Sequence, residues 1–318
     1  MSCAMTVDAT LKSNLNIQIH IYTMDLFSHL NWYRGTRDDG APLKCIPPGK
    51  LIAVTDTLEA EGSFIIHDVL QSISKRDDMA TCLLGLHQSL FHYHSVGRKL
   101  GYNLTNEHQK GRFSFINALH NSYSWIDRLQ AEALEEAGID EAGPLDNISK
   151  GFQPFPTSTI SKHQGSVSQF LNDVFNAFVN DHQARVAKMA STGSGGNMQT
   201  LFIIDNLNLL SSFGGCRDLD LLHFLQTLHT YVGEQGDCSV LLLFHSDCNV
   251  DDTFFKLLQY EADLTINIGG LKSGYSKDID GQIEFLQKMD DNTLHRLSPI
   301  LYQVLDNNIR YFAMGSRI

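Results

Sequence analysis

Residues 54–70, VTDTLEAEGSFIIHDVL, have the order of parts found in a phosphate-binding loop: an apolar strand, a short turn with a glycine, and a helix. In such a loop, backbone N–H groups hold the phosphates, a lysine neutralises their charge, and a hydroxyl binds magnesium. If Gly62 matches the second glycine of that motif, Thr57 stands for the first and Ser63 for the lysine. If the register shifts by one residue, Ser63 supplies the hydroxyl but Gly62 takes the place of the lysine. Neither register supplies a cation.

The turn itself carries acids, because Asp56, Glu59 and Glu61 lie within it. Two like charges ~4 Å apart repel by about 4 kcal/mol at an effective dielectric constant of ~20. The phosphates of a nucleotide would therefore meet unneutralised carboxylates. We interpret the turn as a strand-to-helix connection whose shape is that of a nucleotide loop, and we expect no tight nucleotide binding.

Asp205 ends the apolar run LFIIDN, which resembles the second element of nucleotide hydrolases, where an aspartate orients magnesium and water. Any buried strand that is followed by a turn can end in aspartate, so we favour a structural role. We predict no catalytic residue, no cofactor and a degenerate nucleotide loop at Thr57, Gly62, Ser63 and Asp205.

Two other groups of residues could do chemistry. His87, His92 and His94 lie close together in the sequence but lack the spacing and the further ligands of a metal site, so we predict no metal. The glycine-rich stretch GGLKSGYSKDIDG holds two lysines and a tyrosine that could contact a phosphate backbone, although a plain hairpin turn is the simpler interpretation. The candidates for such a contact are Lys272, Tyr275 and Lys277.

The elements that must position these residues follow from hydrophobic patterning. Five continuous apolar runs are typical of strands buried on both faces of a parallel sheet: residues 50–56, 80–86, 112–118, 200–206 and 239–245. Between them lie helical patterns: Ser63 is expected to cap the first, Ser166 to start the second, and the third begins before Leu221. Past residue 262 the runs alternate, which predicts antiparallel strands with a tight turn at 306–308. The pattern predicts a three-layer α/β fold.

Composition limits the function. The net charge of −12 makes this chain alone a poor ligand for nucleic acid, so any such role needs a local basic loop or other subunits.

No apolar stretch is long enough to span a membrane, and the N-terminus lacks the pattern of a secretion signal. The six cysteines are far apart, which favours reduced thiols. We expect an intracellular, cytoplasmic protein, with the nucleus left open as a second location.

Four stretches then carry a resemblance: VTDTLEAEGSFIIHDVL, HQSLFHYHSVGRKLGYNLT, LFIIDNLNLL and GLKSGYSKDIDGQIEF. In order and spacing they resemble the family of sixth subunits of the Elongator complex, from about Met24 to the C-terminus. Leu90 departs from the Q-S-F-x-H-Y element that is typical of that family. The resemblance implies a RecA-like three-layer α/β/α fold, with a mainly parallel central sheet and antiparallel C-terminal strands, that lacks the nucleotide-binding motifs.

The resemblance also implies a place in a hetero-hexameric ring with the fourth and fifth Elongator subunits. That ring is an accessory module of the complex that modifies the wobble uridine (U34) of tRNA to carboxymethyl-type derivatives. The resemblance therefore implies that this chain contacts tRNA only as part of the assembly. By analogy with RecA-like rings, we expect subunit contacts near the nucleotide loop. The candidate interface residues are Glu59, Glu61, His92 and Arg98.

The resemblance further suggests boundaries. Residues 24–318 are expected to form a single RecA-like domain with loop insertions near 137–165 and 191–197. Residues 1–23 precede the family's usual start, either as an extension expected to be disordered or as an artefact of the gene model, and we assign them no function.

Two other functions stay open at this point. One is a divergent P-loop ATPase or kinase-like enzyme whose lysine comes from elsewhere, for instance Lys50 or Lys75. The other is a small-molecule enzyme of doubly wound type, which is disfavoured because no pair of nucleophile and base is visible.

Overall fold

The computed structural model describes residues 24–36, 40, 42–117, 158–159, 167–192, 198–214, 216–246, 252–274 and 276–315. Several sequence-based predictions lie outside these ranges: the extension 1–23, Tyr275 and most of the insertions near 137–165 and 191–197.

The described strands form two sheets. A small antiparallel pair comprises β1 (Tyr33–Thr36) and β2 (Pro42–Lys44). The large sheet has ten strands: β3 (Leu51–Asp56), β4 (Met79–Gly85), β5 (Phe113–Asn117), β6 (Ser158–Thr159), β7 (Gln199–Asp205), β8 (Cys238–His245), β9 (Leu264–Gly269), β10 (Gly281–Lys288), β11 (Leu294–Leu305) and β12 (Asn308–Ala313). Their spatial order is β12-β11-β10-β9-β3-β8-β7-β4-β5-β6, parallel from β9 to β6 and antiparallel from β9 to β12.

Eight helices of the described ranges cover this sheet: α1 (Leu26–His29), α2 (Ser63–Ser74), α3 (Leu90–Leu100), α4 (Leu104–Gln109), α5 (Val167–Thr192), α6 (Leu207–Gly214), α7 (Asp218–Gln235) and α8 (Asp252–Glu261). Successive side chains of a strand point to opposite faces. Accordingly Ile52 and Val54 of β3 join an apolar cluster with α1 to α4, whereas Leu51 and Ala53 join a second cluster with α5 to α8. The protein therefore has three layers, with a core on each face of the sheet. Within the described ranges, no helix combines the length and the apolar character needed to cross a bilayer.

Most predicted elements are confirmed, with two corrections. The strand β9 lies past residue 262, where antiparallel strands were expected, but it pairs in parallel with β3. In the large sheet the antiparallel pairs are β9–β10, β10–β11 and β11–β12, and the predicted turn at 306–308 does connect β11 to β12. The helix expected to start with Ser63 as its cap is instead capped by Gly62, and Ser63 is its first residue. The Ser63 hydroxyl donates to Glu61 Oε1 at 2.7 Å.

A histidine joins α7 to the last residue of α8 and to the segment before β9. His229 Nδ1 lies 2.8 Å from Glu261 Oε1, and its Nε2 lies 2.9 Å from Asp263 Oδ2. Hydrogen bonds to Asp263 and then to Glu261 raise the pKa of His229 to about 9. Burial raises the pKa of Asp263, but hydrogen bonds from His229, the Leu51 N–H and Lys50 outweigh it and lower that pKa to about 2. The imidazolium thus bridges two carboxylates at neutral pH.

This bridge predicts a pH dependence of stability. The folded pKa of His229 exceeds its unfolded value of about 6.5, so the stabilisation is complete below about pH 6.5 and is lost as the pH rises through about 9. After allowance for solvent screening we expect a loss of about 1–2 kcal/mol. Urea unfolding at pH 6 and pH 9.5 measures it. His229→Gln should reduce the loss between these two pH values by this amount, whereas His223→Gln, on the exposed side of the same helix, should leave it unchanged. An equal loss in His229→Gln would contradict this assignment.

Candidate functional site

The candidate site lies at the edge of the sheet where the parallel strands end, which is where α/β proteins bind ligands. Asp56 ends β3, Asp205 ends β7 and His245 ends β8, and His87 follows β4 closely. The chain leaves β3 through residues 57–62 and enters α2, so the loop has the strand-turn-helix context predicted from the sequence.

The loop uses two of its own N–H groups in hydrogen bonds within the turn. The N–H of Ala60 donates to the carbonyl oxygen of Thr57 at 3.0 Å, and the N–H of Thr57 donates back to Ala60 at 3.4 Å. A phosphate-binding loop instead directs such N–H groups at the anion. Two donors are therefore used within the turn, and Leu58 at its tip is 93% exposed.

A third N–H group of the loop, that of Gly62, donates a hydrogen bond to a carboxylate of the protein itself. Asp56 is buried, and its Oδ2 accepts the N–H of Gly62 at 2.7 Å, directly before α2. A negative charge is favourable at a helix N-terminus, where a phosphate would otherwise bind. A Cβ at Gly62 would lie 3.1 Å from Asp56 Cβ and 3.2 Å from Ile268 Cγ1. The absence of a side chain at Gly62 therefore lets the Asp56 carboxylate pack against the start of α2.

His245 holds the other oxygen of this carboxylate. Its Nδ1 contacts Asp56 Oδ1, and the hydrogen bond with Asp56 raises the pKa of His245. Ser246 adds two bonds, because its N–H and its hydroxyl each donate to the Asp56 carbonyl at 2.9 Å. The end of β8 thus fixes Asp56, a role for His245 that the sequence did not indicate.

Asp205 is bound to a tyrosine. The hydroxyl of Tyr93 in α3 donates to Asp205 Oδ2, and the N–H groups of Leu86 and His87 donate to the Asp205 carbonyl at 2.8 and 3.0 Å. Burial raises the pKa of Asp205, and burial also raises the pKa of Tyr93 well above its ordinary value. The arrangement ties α3 to the end of β7.

The lysines proposed as substitutes lie far from the loop. Lys50 precedes β3, at the opposite end of a strand about 20 Å long, and its Nζ is bonded to Asp263 at 3.0 Å. Lys75 follows the last residue of α2, about 18 Å along the helix from Ser63. Neither lysine is placed to meet a phosphate at Gly62, which disfavours the divergent ATPase or kinase.

Three of the four predicted interface residues line one cavity. Glu59, Glu61 and His92 border a groove of about 510 Å³ between the loop, α2, α3 and the β11–β12 hairpin. Phe64 and Tyr302 stack in its wall with ring centroids 4.6 Å apart. Two further acids, Asp280 and Asp306, line it, and its described lining includes no lysine or arginine. The fourth predicted residue, Arg98, is exposed on α3 and does not line the groove.

The predicted phosphate-contacting loop lies at the same edge of the sheet, because β9 ends there. Lys272 is exposed and its Nζ is bonded to Glu284 Oε1 at 2.6 Å. Lys277 is also exposed. A Cβ at Gly270 would lie 3.2 Å from Glu59 Oε2, so this loop adjoins the acidic turn.

The three histidines of the sequence motif separate in the structure. The ring of His87 lies 6.0 Å from that of His245, and the ring of His92 lies 5.9 Å from that of His67. Burial lowers the pKa of His67 to about 4, so it is neutral in its wall of the groove. Among the described residues, none of His87, His92 and His94 belongs to a cluster with metal-ligand spacing.

The sheet order, the covering helices and the closed loop define a RecA-like α/β protein, so the predicted fold class is confirmed. Residues 39–306 match the family model described as Elongation complex protein 6. The chain is 49% identical to Elongator complex protein 6 of Dictyostelium discoideum, over 93% of this chain and 100% of that relative. It is 28% identical to the Danio rerio relative of the same name, over 85% and 92% of the two chains. The chain belongs to the Elongator complex protein 6 family, and its role lies in the Elongator complex with other subunits of that complex.

Solved structures show the fold alone. An uncharacterized protein from Pyrococcus horikoshii, solved in complex with an unknown peptide, aligns with a TM-score of 0.56 and 11% identity. The alignment covers 88% of this chain and 96% of that protein.

Proposed function

We propose that this chain is a non-catalytic subunit of the Elongator accessory ring, built with the fourth and fifth subunits, that supports modification of the tRNA wobble uridine (U34) to carboxymethyl-type derivatives. One observation carries the non-catalytic part: the Asp56 carboxylate accepts the Gly62 N–H at 2.7 Å, at the N-terminus of α2. The anion that this helix end favours is already supplied by the protein.

Electrostatics argue against a nucleotide as a second anion. Glu59 and Glu61 are exposed on the same turn, and each like-charge contact at ~4 Å would cost about 4 kcal/mol at an effective dielectric constant of ~20. Family membership makes this chain a component of a larger assembly, so its surviving role is to present surfaces to other subunits.

The groove beside the loop is the surface that supports subunit contact best. It combines an apolar wall with four acids, and Leu58 and Phe91 are 93% and 53% exposed near it. Exposed large apolar side chains rimmed by charge are typical of protein interfaces. We propose that a neighbouring ring subunit covers Glu59, Glu61 and His92, and that Arg98 lies at the margin of this contact.

Contact with tRNA is proposed for the loop of Lys272, Tyr275 and Lys277. With a net charge of −12 the chain offers few cations to a phosphate backbone, so this loop would act together with basic surfaces of other subunits. A cytoplasmic location, with the nucleus as a second compartment, agrees with a tRNA substrate and remains part of the proposal.

Nucleotide titration tests the non-catalytic part. We expect Mg-ATP to leave the melting temperature of the purified chain unchanged and to give no binding heat, because the Gly62 N–H is already bonded to Asp56 and the described lining of the neighbouring groove includes no lysine. Ser63→Ala and Asp205→Ala are the matched variants. Tight ATP binding that either substitution abolishes would refute the proposal.

Co-expression tests the ring. The chain is expected to co-purify with the fourth and fifth Elongator subunits in a particle whose mass equals two copies of each. A stable monomer that ignores both partners would contradict the assignment.

A further inference from the structure

A second group of polar side chains lies at the opposite edge of the sheet, where β7 and β8 begin. His182 of α5, Asp237 and Cys238 each offer one atom of a kind that binds metal, and these three atoms all lie within 4.8 Å of one another. His182 and Cys238 are 2% and 0% exposed. The cluster therefore places a nitrogen, an oxygen and a sulfur ligand together inside the layer of α5 and α7.

The cluster leaves hydrogen-bonding capacity unused. His182 Nε2 and Asp237 Oδ1 are 3.0 Å apart, yet neither atom has a hydrogen bond with suitable geometry among the described residues. The same holds for Thr200 Oγ1, which lies on β7 in register with Cys238. A buried polar group without a partner destabilises the fold. Such groups indicate a bound water or ion.

The second ring nitrogen of His182, Nδ1, has a hydrogen-bond partner that fixes the orientation of the imidazole. His182 Nδ1 lies 2.7 Å from the hydroxyl oxygen of Tyr231 in α7. In the tautomer whose Nδ1–H donates to that oxygen, Nε2 keeps its lone pair and points at Asp237. Metal-binding histidines are typically oriented in this way by a hydrogen bond to the second ring nitrogen.

We propose that His182 Nε2, Asp237 Oδ1 and Cys238 Sγ bind a zinc ion. Zinc accepts imidazole, carboxylate and thiolate ligands together, whereas magnesium and calcium select oxygen alone. Three protein ligands leave one tetrahedral position for water, which can enter beside Asp237, whose side chain is 15% exposed. Thr200, in register with Cys238, supplies a hydroxyl on the neighbouring strand.

Zinc binding at this site releases one proton. Burial raises the pKa of the Cys238 thiol to about 12, so the thiol is protonated without metal and its proton leaves to solvent as the zinc–sulfur bond forms. The ion would connect α5 to the start of β8, remote from the candidate functional site. This departs from the absence of metal expected from the sequence, because the ligands are distant in the chain.

Metal analysis of the full chain, expressed without a histidine tag and co-purified with its partners if needed, tests the inference. We expect one zinc ion per copy attributable to this site, lost in Cys238→Ser and in His182→Gln. Cys45→Ser is the matched control, since Cys45 is a buried thiol bonded to the Ile46 carbonyl and to Gln199 with no histidine in the contact. Because substitutions at the fully buried His182 and Cys238 can impair folding, Asp237→Asn provides a third variant that is isosteric and lies at a partly exposed position.

Cobalt gives a readout of the ligand itself. Cobalt added to the chelator-stripped protein should produce a thiolate-to-metal absorption band in the wild type and in Cys45→Ser, and added zinc should raise the melting temperature of both. Cys238→Ser should lack the band, and Asp237→Asn should bind zinc more weakly. The proposal is overturned if the wild type shows neither the band nor a zinc-dependent rise, or if Cys238→Ser responds as the wild type does.

Discussion

Reversing the charge of Glu59 and Glu61 together, as Glu59→Lys with Glu61→Lys, is expected to weaken assembly with the neighbouring subunits by on the order of 10²-fold or more. Both side chains are exposed on the lip of a groove that holds two further acids and no described lysine or arginine. A complementary partner surface carries cations, and opposing it with lysines replaces attraction by repulsion worth several kcal/mol.

The matched control changes the same amount of charge elsewhere. Glu234 and Asp290 are exposed, the first on α7 and the second in the turn after β10, at the other edge of the sheet. Glu234→Lys with Asp290→Lys should leave assembly intact. Native mass measurement of the co-expressed subunits, at low and at high salt, reads out both pairs, since added salt should weaken the wild-type contact. Survival of the complex in the Glu59 and Glu61 variant would show that the contact lies elsewhere.

The other two candidate interface residues should differ from each other. His92 lines the groove, whereas Arg98 is exposed outside it, so His92→Lys, which adds a cation opposite a cationic partner surface, is expected to weaken assembly more than Arg98→Ala. Mass measurement on the same co-expressed subunits makes the comparison. The opposite ranking would move the interface along α3, away from the loop.

Asp56→Ala is expected to lower the free energy of unfolding by about 3 kcal/mol, because it leaves the Gly62 N–H unpaired and removes a buried partner of His245. Asp56→Asn should cost less, since the amide oxygen can still accept the Gly62 N–H at nearly the same volume. Urea unfolding at pH 6 measures both differences. Equal stability of the wild type and Asp56→Ala would show that the Asp56 carboxylate does not stabilise the loop.

The same pair predicts a pH dependence with a definite sign. The Asp56 contact raises the folded pKa of His245 above its unfolded value, so its stabilising effect is present below about pH 6.5 and is lost as the pH rises through the folded pKa. Asp56→Asn should flatten this part of the stability curve. His295→Gln, a substitution at an exposed histidine near the start of β11, should leave it in place.

The layers of the fold were readable from the sequence because burial on both faces of a parallel strand leaves a continuous apolar run. Residues 200–206 and 239–245 are such runs, and they became β7 and β8. The direction of β9 was not readable. Its residues alternate partly between buried and half-buried positions, and pairing with β3 on one side and β10 on the other decides that it is parallel to the first and antiparallel to the second.

The sequence alone determined that the loop after β3 has no lysine, because this depends only on which residue types stand at fixed spacing. It also determined that acids crowd the turn, but it could not separate them, since Asp56 and Glu61 are both carboxylates a few residues apart. Tertiary structure made that distinction: β3 aims Asp56 inward at Gly62 and His245, while the closed turn leaves Glu59 and Glu61 in solvent. The reason is that β8, which supplies His245, is adjacent to β3 only in the folded sheet, where charge and burial depend on neighbours remote in the chain.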